Sequence, residues 1–208
     1  MIEVIPFKGL LYNLDIIGSL DEVTAPPYGE LSADQQEVLY QKNPHNVVRL
    51  ILGKESEKDS ETDNRYTRSA KVFEDWINEG ILKRDDEPGF YIYSQEYEFE
   101  GENFCRIGFF ALVKTEDFSE GNICPHEFTL AKAKTDRTKL LNACHANFSP
   151  IFGLYSDPEG NIDFFLQEGI KANPLSVIDD NKVAHKLWRL NNTEKNQKIC
   201  DLIRDKKI

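Results

Sequence analysis

The chain has 208 residues, 40% of them hydrophobic and thirteen of them Phe, enough for a packed core without disulfide staples. Its 25 Lys and Arg face 36 Asp and Glu, a formal net charge of −11. That balance argues against a general nucleic-acid binder, which needs many cations to displace phosphate counterions, and against attraction to an anionic membrane.

The opening MIEVIPFKGL carries no cationic region followed by an apolar run, so no signal peptide is visible. No stretch approaches the ~20 apolar residues of a membrane helix. Cys105, Cys124, Cys144 and Cys200 form no CxxC pair. The expectation is a cytoplasmic protein with reduced thiols.

Ile2–Tyr12 reads as a short apolar strand interrupted by Pro6 and Gly9. Pro26 and Pro27 make the next loop rigid; it is either a stiff turn or a pocket wall presenting Tyr28. Ser32 and Gln35 form a capping box before a helix that stops at Asn43-Pro44. The β-branched run Val47–Leu52 predicts a buried strand. A helix near Asn64–Glu79 places Tyr66, Ala70, Phe73 and Ile77 on one face, and Gly80 ends it.

Phe90–Phe99 and Phe104–Val113 predict a hairpin around Glu100–Asn103. Ser149–Tyr155 and Ile162–Leu166 predict a second one around Asp157–Gly160. Val183–Leu190 reads as a further strand, and Thr193 as the cap of a final helix. The expected class is α+β, with a mixed, largely antiparallel sheet, β-hairpins and several flanking helices. A single domain over 1–208 is expected, with a soft boundary near 169–174.

The most informative stretch is Pro125–Tyr155. Thr135 reads as the cap of a helix whose apolar stripe is Leu140, Leu141 and Cys144. Lys132, Lys134, Arg137 and Lys139 gather positive charge at that start. Free helix N–H groups beside cations make an anion site; an ordinary solvated helix face is the other reading. No Walker glycine run is present. His126 and Glu127 precede the helix and could form a proton-transfer pair, or His126 could simply bond to backbone. Asn147 either caps a turn or points an amide into a site. Cys124, His126, Cys144 and His145 lack the tight spacing of zinc ligands, so no metal site is expected.

Ile5–Gly9, Ala25–Tyr28, Asn43–Leu50, Asp63–Tyr66, Pro125–Glu127, Asp136-Arg137 and Ala146–Tyr155 resemble, in order, the bacterial and archaeal family catalogued as domain of unknown function 1015. The resemblance covers nearly the whole chain. It implies an N-terminal half of a longer protein, since family members continue into a segment of the type alanine-aspartate-glycine-histidine-histidine-arginine-tyrosine. That segment is similar to the phosphate-binding turn of the ParB and sulfiredoxin group, and no Gly-His-His-Arg occurs in this sequence. Serine or phosphoserine chemistry is what the resemblance implies.

Two functions are therefore expected. One is phosphoryl transfer to or from a small metabolite, by a phosphotransferase or phosphatase. In it Lys134 and Arg137 hold phosphate, Tyr28 and Asn147 line the site, and His126 or Glu127 moves a proton. Magnesium would accompany the phosphate-bearing ligand. The other is a non-catalytic anion- or ligand-binding domain that works with a further C-terminal half. Neither nucleic acid nor membrane is an expected partner, and the sequence carries no sign of oligomeric state.

Overall fold

A computed structural model describes residues 1–126, 130–178 and 183–208. The chain divides into two interleaved compact units. Unit 1 comprises Met1–Gly9, Arg84–Phe128 and Ile151–Ile208; unit 2 comprises Leu10–Lys83 and Thr129–Pro150. The class is α+β, as expected. Among the described residues, no helix is long and apolar enough to cross a membrane.

Unit 1 is built on a four-stranded sheet. Numbering strands in chain order, β4 (Phe90–Phe99) pairs antiparallel with β5 (Glu102–Phe110) and with β8 (Ala184–Leu190), and β8 pairs antiparallel with β7 (Leu175–Ile178). The order is β5-β4-β8-β7, which leaves β5 as an edge. Phe99 faces Glu102 across a two-residue turn, in which Glu100 and Gly101 take φ of 53° and 82°. Left-handed backbone at both central residues is the turn whose twist suits a hairpin. A separate short ladder joins β1 (Val4–Ile5) to β6 (Leu112–Val113).

Two helices complete the core of this unit, α6 (Asn161–Gly169) and α7 (Thr193–Ile203). Ile162 and Leu166 sit one helical turn apart on α6, and Ile199 and Ile203 do the same on α7; all four are buried against Phe90, Ile92, Trp188 and Leu190. The hairpin expected over 149–166 is not there. Residues 151–155 belong to no strand or helix, and 162–166 is helical. The Asp157 carboxylate accepts from the amides of Ile162 at 2.9 Å and Asp163 at 3.1 Å, so the acid read as a turn residue anchors a helix start instead.

Unit 2 is mainly helical. It holds β2 (Leu10–Tyr12), which pairs with β3 (Leu82–Arg84, its last residue falling to unit 1), together with α1 (Leu14–Ile17), α2 (Ala33–Lys42), α3 (Val48–Ile51), α4 (Arg65–Asn78) and α5 (Ala131–Cys144). The Ser32–Gln35 capping box forms on α2. The expected strand at 47–52 is helix α3. Short apolar runs suit either state. Here the Asn46 side-chain Oδ1 accepts from the Val48 amide at 3.0 Å, which starts a turn, and Val48, Leu50 and Ile51 are buried. On α4 the buried stripe runs through Ser69 and Trp76, with Phe73 half-buried, while Ile77 is exposed; the expected face was rotated. Leu50, Trp76, Ile81 and Leu82 make the apolar centre of the unit.

Candidate functional site

Helix α5 begins a full turn earlier than its expected cap. Leu130 is the N-cap and makes no side-chain bond, and Thr135 lies inside the helix. The preceding Ala-Lys-Ala-Lys are strong helix formers and carry the helix back past Thr135. Arg137 is thus in the second turn, away from the free amides of the helix start. Period 3.6 places Asp136, Leu140 and Cys144 on the inward stripe, and all three are buried.

Asp136, 4% exposed, is the hub of a polar cluster in unit 2. Its partners come from the first turn of α4. There Asn64 accepts from the amides of Tyr66 and Thr67 while Thr67 closes a capping box, which fixes the start of the helix. From that turn the Tyr66 hydroxyl donates to Asp136 Oδ1 at 2.7 Å, and Arg65 Nη2 donates to the same oxygen. Arg65 Nη2 also donates to the Tyr66 hydroxyl at 2.9 Å. The Asp136 Oδ2 oxygen accepts from Arg137 Nε at 2.9 Å and from Arg137 Nη2. Arg137 Nη2 reaches further, to the carbonyl of Ile51 at 2.8 Å.

Tyr28 closes the cluster. The Arg137 Cζ lies 3.8 Å from the centre of its ring. The loop carrying Tyr28 is held by Asn46, which is fully buried and donates to the carbonyls of Glu22 at 3.0 Å and Thr24 at 2.9 Å. Arg137 Nη1 is enclosed and has no hydrogen-bond partner among the described residues. A guanidinium has five N–H donors in a planar fork; the two on Nη1 are left over.

Opposing effects set the charges here. Burial alone would raise the Asp136 carboxyl, but hydrogen bonds from Arg137 and Tyr66 and the charges of Arg137 and Arg65 outweigh it and hold the group below the usual 3.8. Tyr66 is pushed up, first by burial and then by Asp136, against the opposing bond from Arg65. Burial works against the charge of Arg65, yet the bond to Tyr66 and the attraction of Asp136 and Glu55 raise it above its ordinary value. The cluster is charged at neutral pH.

Of the residues singled out from sequence, Tyr28 and Arg137 are brought into contact. Lys134 stands exposed on α5. Asn147 is exposed too, and its Oδ1 accepts from the Ser149 amide at 3.1 Å, an Asx turn. His126 is exposed and belongs to unit 1, while Glu127 lies outside the described residues. Arg65, Tyr66 and Asp136 were not singled out as site residues. The available signal was an acidic residue at the i−4 position of a buried Leu–Cys stripe, which demands a cationic partner from elsewhere. Among the described residues, no group of three or more His, Cys, Asp and Glu could hold a metal ion.

Unit 1 has a concavity of its own, of about 470 Å³, beside β5. Arg106, Phe109, Phe152, Tyr155 and Ile203 are among the residues that line it, and none of the residues singled out from sequence does.

The fold and cluster together define an α+β protein whose helical unit is centred on an arginine–aspartate–arginine group backed by two tyrosines. The chain belongs to the family described as Protein of unknown function (DUF1015), whose model matches residues 4–208. No curated protein and no solved structure matches the chain. Tyr28, Asn46, Arg65, Tyr66, Asp136 and Arg137, drawn from four of the stretches that carry the family resemblance, therefore meet in one unit.

Proposed function

We propose that this chain is an anion-binding domain and that Arg137 is its ligand-holding residue. The observation that supports this reading is the enclosed Arg137 Nη1, left without a partner while Asp136, the Ile51 carbonyl and Tyr28 fix the rest of the guanidinium. A fork held flat on three sides pays little further entropy when it binds a carboxylate or phosphate. Tyr28 is only half-buried, and movement of its ring off the guanidinium gives an anion access.

A small phosphorylated metabolite, met in the cytoplasm, is the ligand we favour, and nucleic acid is not a partner at a net charge of −11. Phosphoryl transfer to or from serine or phosphoserine is the finer alternative. It is supported by the family resemblance, and it would use His126 or Glu127 for the proton and magnesium for the phosphate.

Thermal shift and calorimetric titration with phosphate, pyrophosphate and phosphoserine test the reading on native protein and on Arg137→Lys. Loss of a charge-assisted hydrogen bond from Nη1 weakens binding about ten- to a hundredfold although charge is kept. A variant that melts earlier but binds all three anions as the native protein does would make Arg137 purely structural and overturn the proposal.

A further inference from the structure

The second feature without an assigned role is the distal part of the β4–β5 hairpin in unit 1. Strand β5 is nine residues long, with no proline, and it pairs residue for residue with β4 from Glu102 to Phe110 without a bulge. Natural sheets protect such edges with bulges, prolines, short strands or a covering element. Here all five residues from Glu102 to Arg106 are exposed. Residues 152–155 flank the cavity beside β5, and of β5 only Arg106 and the residues after it line that cavity.

The register says which backbone groups face out. Phe99 and Glu102 close the two-residue turn, so that pair exchanges hydrogen bonds and the next pair, Glu98 with Asn103, does not. Alternation then turns the N–H and C=O of Asn103 and Cys105 outward. Neither makes a backbone hydrogen bond to another segment among the described residues.

A strand's worth of unpaired donors and acceptors asks for another strand, and the side chains say which. We propose that a second copy of this chain pairs through β5, antiparallel, about a twofold axis at Phe104. In that register Asn103 faces Cys105 of the other copy, both with outward backbone groups, so the two exchange hydrogen bonds. Glu102 faces Arg106 of the other copy, twice. Arg106 has Gln95 and the Phe152 ring as neighbours and no carboxylate within ion-pair distance among the described residues; Glu102 has no cation there. Phe104, 41% exposed and stacked on Tyr97 at 5.8 Å, meets its own symmetry mate on the same face. Opposite charges directly across a ladder, flanking an aromatic pair, are the arrangement that stabilises an antiparallel pair. A register slip of one residue would point paired groups inward; moving the axis to Cys105 keeps outward groups paired but sets Glu102 against Gly108 and Phe104 against Arg106, and moving it to Arg106 would set Glu102 against Phe110.

The test is sedimentation equilibrium on the full chain over a wide concentration range, together with register-specific crosslinking. Expected is a reversible dimer. Arg106→Glu and Glu102→Arg each weaken association about tenfold, and the double variant restores it. Asn103→Cys places a thiol opposite native Cys105, within the Cα separation a disulfide spans, so mild oxidation yields a covalent dimer that the additional change Cys105→Ser abolishes. A monomer at all concentrations overturns the proposal. So does a dimer indifferent to both charge reversals, or one that Asn103→Cys fails to crosslink.

Discussion

The Arg137 guanidinium carbon lies 3.8 Å from the centre of the Tyr28 ring. One residue comes from a proline-stiffened loop and the other from the second turn of α5, more than a hundred positions later. The contact fastens that loop to the helix. Tyr28→Phe keeps the ring face and is expected to leave the melting temperature within about 1 °C. Tyr28→Ala loses a partly desolvated cation–π contact of about 1–2 kcal/mol and lowers it by roughly 2–8 °C. Scanning calorimetry on both variants checks this; equal effects would show that the ring face is not what matters.

Asp136→Asn leaves two guanidinium groups around a neutral amide. Breaking one side of a buried ionic cluster costs about 3–5 kcal/mol, which is roughly 10 °C in a chain of this size. The pH dependence has a definite sign. The folded carboxyl titrates below its ordinary 3.8, so its contribution is fully present above that value and is lost as the pH falls through the lower folded value. Urea melts between pH 5 and pH 2 should show a shallower acid decline in the variant than in the native protein.

Glu100 holds φ of 53°, in the left-handed region, at the first central position of the β4–β5 turn. Asn adopts that backbone more easily than Glu. Glu100→Asn is expected to gain about 0.5–1 kcal/mol, or roughly 1–4 °C. An unchanged or lowered melting temperature would mean that the Glu side chain makes a contribution of its own.

The four thiols should differ in reactivity. Cys105 and Cys124 are exposed, Cys200 is half-buried, and Cys144 is buried on α5, where burial pushes its thiol up to about 11. Only the thiolate attacks a disulfide reagent. Titration at pH 8 should therefore show Cys105 and Cys124 reacting at once and Cys144 only on unfolding. Rapid labelling of Cys144 in folded protein would mean that α5 opens locally.

Local chemistry was legible in the sequence wherever a few adjacent residues decide the outcome. The Ser32–Gln35 box, the Gly80 helix stop and strand β4 from Phe90 to Phe99 appear as expected. Misreadings occurred where a distant or off-register partner chooses between two locally acceptable states. Val47–Leu52 is helical because Asn46 starts a turn there, and 162–166 is helical because Asp157 takes its first amides. The same limit applied to the site. Tyr28 and Arg137 stood out by residue type, but Arg65 and Asp136 meet only when α4 packs on α5. A charge–charge pairing across 71 positions leaves no periodic trace in one sequence.

The interleaving of the two units bears on how the chain is born. The last segment of unit 2 ends at Pro150, whereas unit 1 still needs Ile199 and Ile203 to bury Ile2 and Val4. The Ile2 amide also waits for the carbonyl of Arg204, 2.8 Å away in the finished protein. On the ribosome Ile2 and Val4 therefore emerge long before the residues that house them. Unit 2 can close while translation continues, but Ile2 and Val4 stay naked until α7 emerges. In that interval the segment is available to whatever chaperone or aggregating neighbour reaches it first.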